Sequence, residues 1–163
     1  MQMTETLTYD ADPAAVFAML CDRGWRERVS ESIHARQYEV SIEPSGDSVT
    51  VTTSRTMPAM VPDMVRKMTG ETITIVQVER WGPPAADGAR TADLEVTIAG
   101  QPAGMQGSAR LSPTATGSTE VFSGDVTVRV PFLGKRIEPE VVKAFRAFIR
   151  KEGEIGRAHL AAG

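Results

Sequence analysis

Glu152 is the residue whose type and position ask most directly for a chemical explanation. Projected at about 100° per residue, Val141, Val142, Phe145, Phe148, Ile149, Gly156 and Leu160 share one face of a C-terminal helical segment, with Glu152 near its middle. An ionised carboxylate in an apolar interface is costly unless it is paired, hydrogen-bonded or protonated. Two readings follow. Glu152, with His159 on the same side, anchors the polar head of a ligand; or it sits at a cavity mouth, solvated or paired with a neighbouring Arg. His159 lies close to the C-terminus and reads more simply as a surface histidine.

Two arginines raise the same question. Arg36 shares strand parity with Tyr38, and Arg55 shares parity with Val51. If no bulge intervenes, both guanidiniums point inward, where a planar fork of donors grips a carboxylate or phosphate. The alternative for each is a surface position or a structural ion pair. Parity also nominates an apolar lining that includes Tyr38, Val40, Val51, Leu94, Val96, Met105 and Phe122, joined by Phe145 and Ile149 from the helix. Trp81 either walls a cavity or caps a loop, and Trp25 locks small helices to the sheet. Met57, Met60, Met64, Met68 and Met105 offer either an adaptable apolar gate or ordinary gap filling.

Other chemistries lack their signatures. No GxGxxG follows a strand and no GxxxxGK[ST] loop occurs. Cys21 is the single cysteine and there are two histidines, so neither an HExxH nor a CxxC metal site can be written. No cofactor, metal or catalytic residue is expected. The 163 residues carry a formal charge of -3 with both signs mixed, which gives no basic footprint for nucleic acid. No apolar run reaches the length of a membrane-spanning helix. The opening MQMTETLTYD has neither the basic start nor the apolar core of a signal peptide, so a cytoplasmic location is expected.

The elements that must position these residues follow from periodicity. Thr4 to Tyr9 alternates as a strand. Asp12-Pro13 then suits an N-cap and first helical position, and Val16, Phe17, Met19 and Leu20 follow at helical spacing. Gly24 breaks that run, and Trp25 to Glu31 forms a second short helix. Alternating segments come next: Ile33–Pro44 and Ser48–Met57 about a Ser45-Gly46-Asp47 turn, then Thr72–Trp81, Thr91–Ala99, Met105–Leu111 and Thr119–Val130. The segment after Pro62, DMVRKM, is expected to give a turn or two of helix. A long helix is expected over about Glu138 to Ala161, with Pro139 tolerable only near its start. Gly153 and Gly156 mark a kink, a close approach of the sheet or room for a ligand, or else an early helix end. Strands that alternate cleanly bury one face, and the final helix must cover it. The whole of 1–163 reads as one α+β domain.

That order, and the strings YDADPAAVFAMLCD (Tyr9 to Asp22) and VPFLGKRIEPEVVKAFRAFIRKEGEIGRAHL (Val130 to Leu160), resemble the START-like superfamily, the birch-pollen-allergen-like helix-grip fold. Taken together they resemble its actinobacterial branch, domain of unknown function 2505. The resemblance implies a curved antiparallel sheet gripping the long helix over a cavity for a hydrophobic or amphipathic small molecule. It implies no shared reaction. The leading expectation is therefore non-catalytic binding, for transport or sensing. A cyclase- or aromatase-like enzyme using cavity polar groups, and an interaction domain whose core is filled by its own side chains, are the alternatives.

Overall fold

The computed structural model describes residues 1–59, 61 and 63–163. The chain runs β1 (Gln2–Tyr9), α1 (Pro13–Leu20), α2 (Arg23–Ser32), β2 (Gln37–Ser45), β3 (Ser48–Pro58), α3 (Asp63–Thr69), β4 (Thr72–Trp81), β5 (Arg90–Ile98), β6 (Ala103–Pro113), β7 (Ser118–Val128) and α4 (Gly134–Ala162). All seven strands join one antiparallel sheet in the order β1-β7-β6-β5-β4-β3-β2. This is the helix-grip α+β fold that the order of elements led us to expect. Met60 and Pro62, part of the expected methionine gate and the start of the short helix, lie outside the described residues, as does the side chain of Met64.

Local chemistry sets the helix starts. Asp12 caps α1 by accepting from the Ala15 N–H at 2.8 Å, and Asp22 caps α2 by accepting from the Trp25 N–H at 2.6 Å. The second cap moves the start of α2 ahead of Gly24. The long helix likewise begins a turn earlier than expected. Leu133 O accepts from both Arg136 N and Ile137 N, so a turn is already built when Pro139 arrives.

Gly153 and Gly156 do not end the helix, which continues to Ala162. They bring it close to its neighbours. A Cβ at Gly153 would stand 2.7 Å from Leu7 Cδ2, and one at Gly156 would stand 3.0 Å from Met19 Cε and 3.1 Å from Tyr9 Cε1. Only residues without a side chain let α4 lie that near β1 and α1, and this offsets their poor helix propensity.

The core divides along the strands. At one end, α1 and α2 pack Val16, Leu20, Trp25 and Val29 onto the sheet, all fully buried with Val51, Trp81, Ala92, Ala109 and Leu111. Phe17 meets Trp81 edge to face with ring centroids 5.8 Å apart. At the other end α4 and the β3–β4 connection stand off the sheet, and the space between them stays open.

Candidate functional site

Register decides where the packed half stops. β3 pairs with β4 through Val51↔Glu79, Thr53↔Gln77, Arg55↔Ile75 and Met57↔Ile73. The helical pair packs over Val51 and Trp81, and the end of α2 reaches Arg55 through Ser30. Beyond it lies a cavity of about 730 Å³, within the range of roughly 300–1,000 Å³ typical of small-molecule sites. Its wall is mostly apolar: Ile73 and Ile75 from β4, Leu94, Val96 and Ile98 from β5, Met105 and Phe122, then Val141, Phe145, Phe148 and Ile149 from α4. Such an open volume runs against the filled-core alternative.

Arg36, Arg66, Glu71 and Glu140 line the cavity as exposed residues, and the buried polar groups gather at one place on its wall. Arg55, 2% exposed, donates from Nε to Ser30 Oγ at 2.9 Å and from Nη1 to Gln77 Oε1 at 3.1 Å. Its guanidinium carbon lies 4.9 Å from the centre of the Phe148 ring, a cation–π contact that holds the fork against α4. Its Nη2 has no hydrogen-bond partner among the described residues. Glu152, also 2% exposed, places Oε1 3.6 Å from Arg26 Nη1, and its Oε2 has no partner among the described residues either. Arg55, Gln77 and Glu152 all line the cavity.

Behind them lies a second, closed network. Arg26, fully buried, donates Nε to Leu20 O at 2.8 Å and grips the Glu79 carboxylate with both Nη atoms, at 2.7 and 2.9 Å. Glu79 also accepts from Gln77 Nε2 at 2.6 Å and from Trp81 Nε1 at 2.8 Å. Deeper still, Tyr9 donates to Glu120 Oε2 at 3.1 Å, while Glu120 Oε1 is unpartnered among the described residues.

Burial and charge set the protonation of these groups. Burial opposes the charge on Glu79, but Arg26 and the hydrogen bonds from Arg26, Trp81 and Gln77 outweigh it and hold the carboxyl below its ordinary range. Burial pushes Glu152 up, and the Glu79 charge adds to this against the pull of Arg26 and Arg55. Burial, with the charges of Glu152 and Glu79, pushes Glu120 up to about 8. Burial also pushes Arg55 down to about 10.

Of the residues nominated from the sequence, Arg36, Arg55, Leu94, Val96, Met105, Phe122, Phe145, Ile149 and Glu152 line the cavity together. Tyr38, Val40, Val51 and Trp81 do not. Tyr38 is 37% exposed on edge strand β2, and its hydroxyl donates to Glu31 at 2.7 Å. Val40 is buried, but α2 lies over β2 at that point, and Arg23 bonds the Val40 carbonyl. Val51 and Trp81 are buried in the packed core, Val51 directly opposite Glu79. Parity nominated Tyr38, Val40 and Val51 as lining, and it carries no information on how far along a strand the cavity extends or on which strand is an open edge.

His159 stands apart from Glu152, with Nδ1 accepting from Arg28 Nη2 at 2.6 Å on the surface. Met57 and Met105 line the cavity, and Met68 is exposed. Sequence reading overlooked Gln77, Arg26, Glu79 and Glu120. A signal was present. Gln77 and Glu79 share parity with Trp81, Glu120 with Phe122, and Arg26 stands at i, i+3, i+4 spacing with Val29 and Ser30.

Among the described residues no three His, Cys, Asp or Glu side chains converge as a metal site requires, and no helix is long and apolar enough to cross a membrane.

Known structures share this architecture. TTHA0849 from Thermus thermophilus aligns over 99% of this chain and 98% of its own, with a TM-score of 0.68 at 13% identity. A STAR-related lipid transfer protein from Xanthomonas axonopodis aligns over 98% of this chain and 85% of its own, with a TM-score of 0.62 at 16% identity. Ara h 8.0201 aligns over 100% of this chain and 99% of its own, with a TM-score of 0.58 at 14% identity. At such identities the likeness is one of fold. In sequence, the chain is 28% identical over 122 residues to an uncharacterized protein of Mycobacterium tuberculosis strain H37Rv, covering 70% of each chain. The family model described as protein of unknown function DUF2505 matches residues 4–160, and the chain belongs to that family.

Proposed function

We propose that this protein reversibly binds an amphipathic small molecule in the cavity between the sheet and α4, without chemical change to it, as a carrier or sensor. The observation that carries the reading is a mostly apolar volume of about 730 Å³ whose buried polar groups, Arg55, Gln77 and Glu152, gather on one wall. An apolar body gains by leaving water there, at roughly 25 cal/mol per Å² buried, and the polar groups orient it. The packed half of the core, with α1 and α2 locked by Trp25 and Trp81, supplies the rigid frame. The reading treats the chain as one cytoplasmic domain that needs no cofactor.

Native mass spectrometry of the purified protein, followed by organic extraction, tests it. A reproducible adduct is expected, and it should disappear when Val96→Trp fills the cavity. A clean apo mass, with no binding across a panel of fatty acids and aromatic compounds, would sink the proposal.

A second reading, an acid–base enzyme of the cyclase or aromatase kind, is favoured by one feature. Glu152 combines a raised carboxyl pKa with an unpartnered oxygen on a side chain that lines the cavity. Turnover of an extracted ligand, abolished by Glu152→Gln, would favour it over binding alone.

A further inference from the structure

The two unpartnered atoms on the cavity wall have opposite hydrogen-bonding character. Arg55 Nη2 can only donate, and Glu152 Oε2 accepts when ionised and donates when protonated. Both side chains are 2% exposed, so water does not compensate them freely. Arg55 differs from Arg26 in one further respect. Its two hydrogen bonds go to neutral acceptors, Ser30 Oγ and Gln77 Oε1, and among the described residues no carboxylate touches it. Arg55 lines the apolar space with one donor unused among the described residues, and because Nη2 is itself buried, an occupant reaches it through a shift of the side chain.

We infer that the head group received there is a carboxyl group, with one oxygen accepting from Arg55 Nη2 and the other sharing a single proton with Glu152 Oε2. The inference rests on the binding function proposed above and names its ligand class as long-chain or otherwise hydrophobic monocarboxylic acids.

Charge closes under this arrangement. The carboxyl pair carries one negative charge between its two members, which Arg55 balances, while Arg26 and Glu79 balance each other. An ester lacks the proton and the charge, and an alcohol lacks the second oxygen. The groups that face Glu152 are Arg26 from α2, Arg55 from β3 and Glu79 from β4, with Tyr9 and Glu120 behind them. Burial raises the Glu152 carboxyl above its ordinary range, and raising the pH removes the proton that the pair must share.

The test compares laurate, dodecanol and methyl laurate, equal in alkyl length, by displacement of an environment-sensitive dye from the full-length chain. Laurate should bind about tenfold or more tightly than the ester and the alcohol, the scale of a buried charge-assisted hydrogen bond. Arg55→Met should erase that preference and leave methyl laurate within about twofold. Laurate affinity should fall as pH rises. Glu152→Gln, whose amide N–H still donates, should bind laurate with a flat profile, and Glu120→Gln should keep the fall. Equal binding of all three probes, or a preference for the alcohol or ester, would overturn the carboxyl assignment and leave the cavity reading standing. If neither dye nor probe binds, the cavity reading fails and the assignment fails with it. The comparison of probes on the unmodified protein decides the matter even if Arg55→Met does not fold, and Arg55→Lys then tests the fork.

Discussion

Arg26 and Arg55 lie on the same side of the sheet, both essentially without solvent contact, yet they are used in opposite ways. Every N–H direction of Arg26 that the fold addresses ends on a protein acceptor, and the Glu79 carboxylate it holds is completed by Gln77 and Trp81. Arg55 is held by two neutral acceptors and a phenyl face, with one donor left over at the cavity. A buried charge that is fully matched resists change, because removing its partner strands the other half. A buried charge that is held but not matched keeps binding capacity in reserve. The first arrangement seals the packed end of the molecule, and the second equips the open end.

Substitutions that treat the two arginines alike should therefore give unlike results. Arg26→Met strands Glu79 in the closed network and should cost about 3–5 kcal/mol of stability, read by urea denaturation near neutral pH. A loss no greater than that of Arg55→Met would remove the distinction.

Glu120 sharpens the comparison from within the closed end. Its carboxyl rises from 4.5 to about 8 on folding, so between those limits the folded protein keeps a proton that the unfolded chain has released. Stability should therefore fall as pH rises across that window, by up to about 1.4 kcal/mol per pH unit, and level off above it. Denaturation of Glu120→Gln across the same range should show a shallower fall, the remainder coming from Glu152, whose carboxyl is also raised by burial. A difference between the two proteins that does not vary with pH would contradict the assignment. Arg55→Met loses two hydrogen bonds but also a buried cation, and its stability should change by only about 1 kcal/mol. Tyr38→Phe removes an exposed hydroxyl contact to Glu31 at the far edge of the sheet. It should alter stability by less than about 0.5 kcal/mol and leave ligand binding as it was.

Much of this architecture was written in local patterns. The Asp12-Pro13 cap, the alternating strands and the apolar stripe of α4 each report a short-range rule, and the structure follows them to within a few residues. The cavity wall was legible where parity is enough, as at Leu94, Val96 and Met105. It was not legible where position along the strand matters. Val51 and Arg55 share parity, but Val51 is packed in the core while Arg55, bonded to Ser30 near the end of α2, borders the cavity, and where a helical pair ends on a sheet is a tertiary fact. Glu152 was conspicuous as a charge in an apolar stripe. Its partner Arg26 sits on a separate short helix near the other end of the chain, and only folding brings the two within 3.6 Å.

The central claim is that the open half of the core is a ligand site whose polar wall holds a carboxyl group. Laurate labelled with carbon-13 at its carboxyl, titrated into the protein and followed by NMR, tests it most directly. We expect a bound carboxyl resonance that saturates at one equivalent, titrates differently from free laurate, and is lost in Val96→Trp. A spectrum that shows only free laurate at every ratio, or a bound signal untouched by Val96→Trp, would contradict the account.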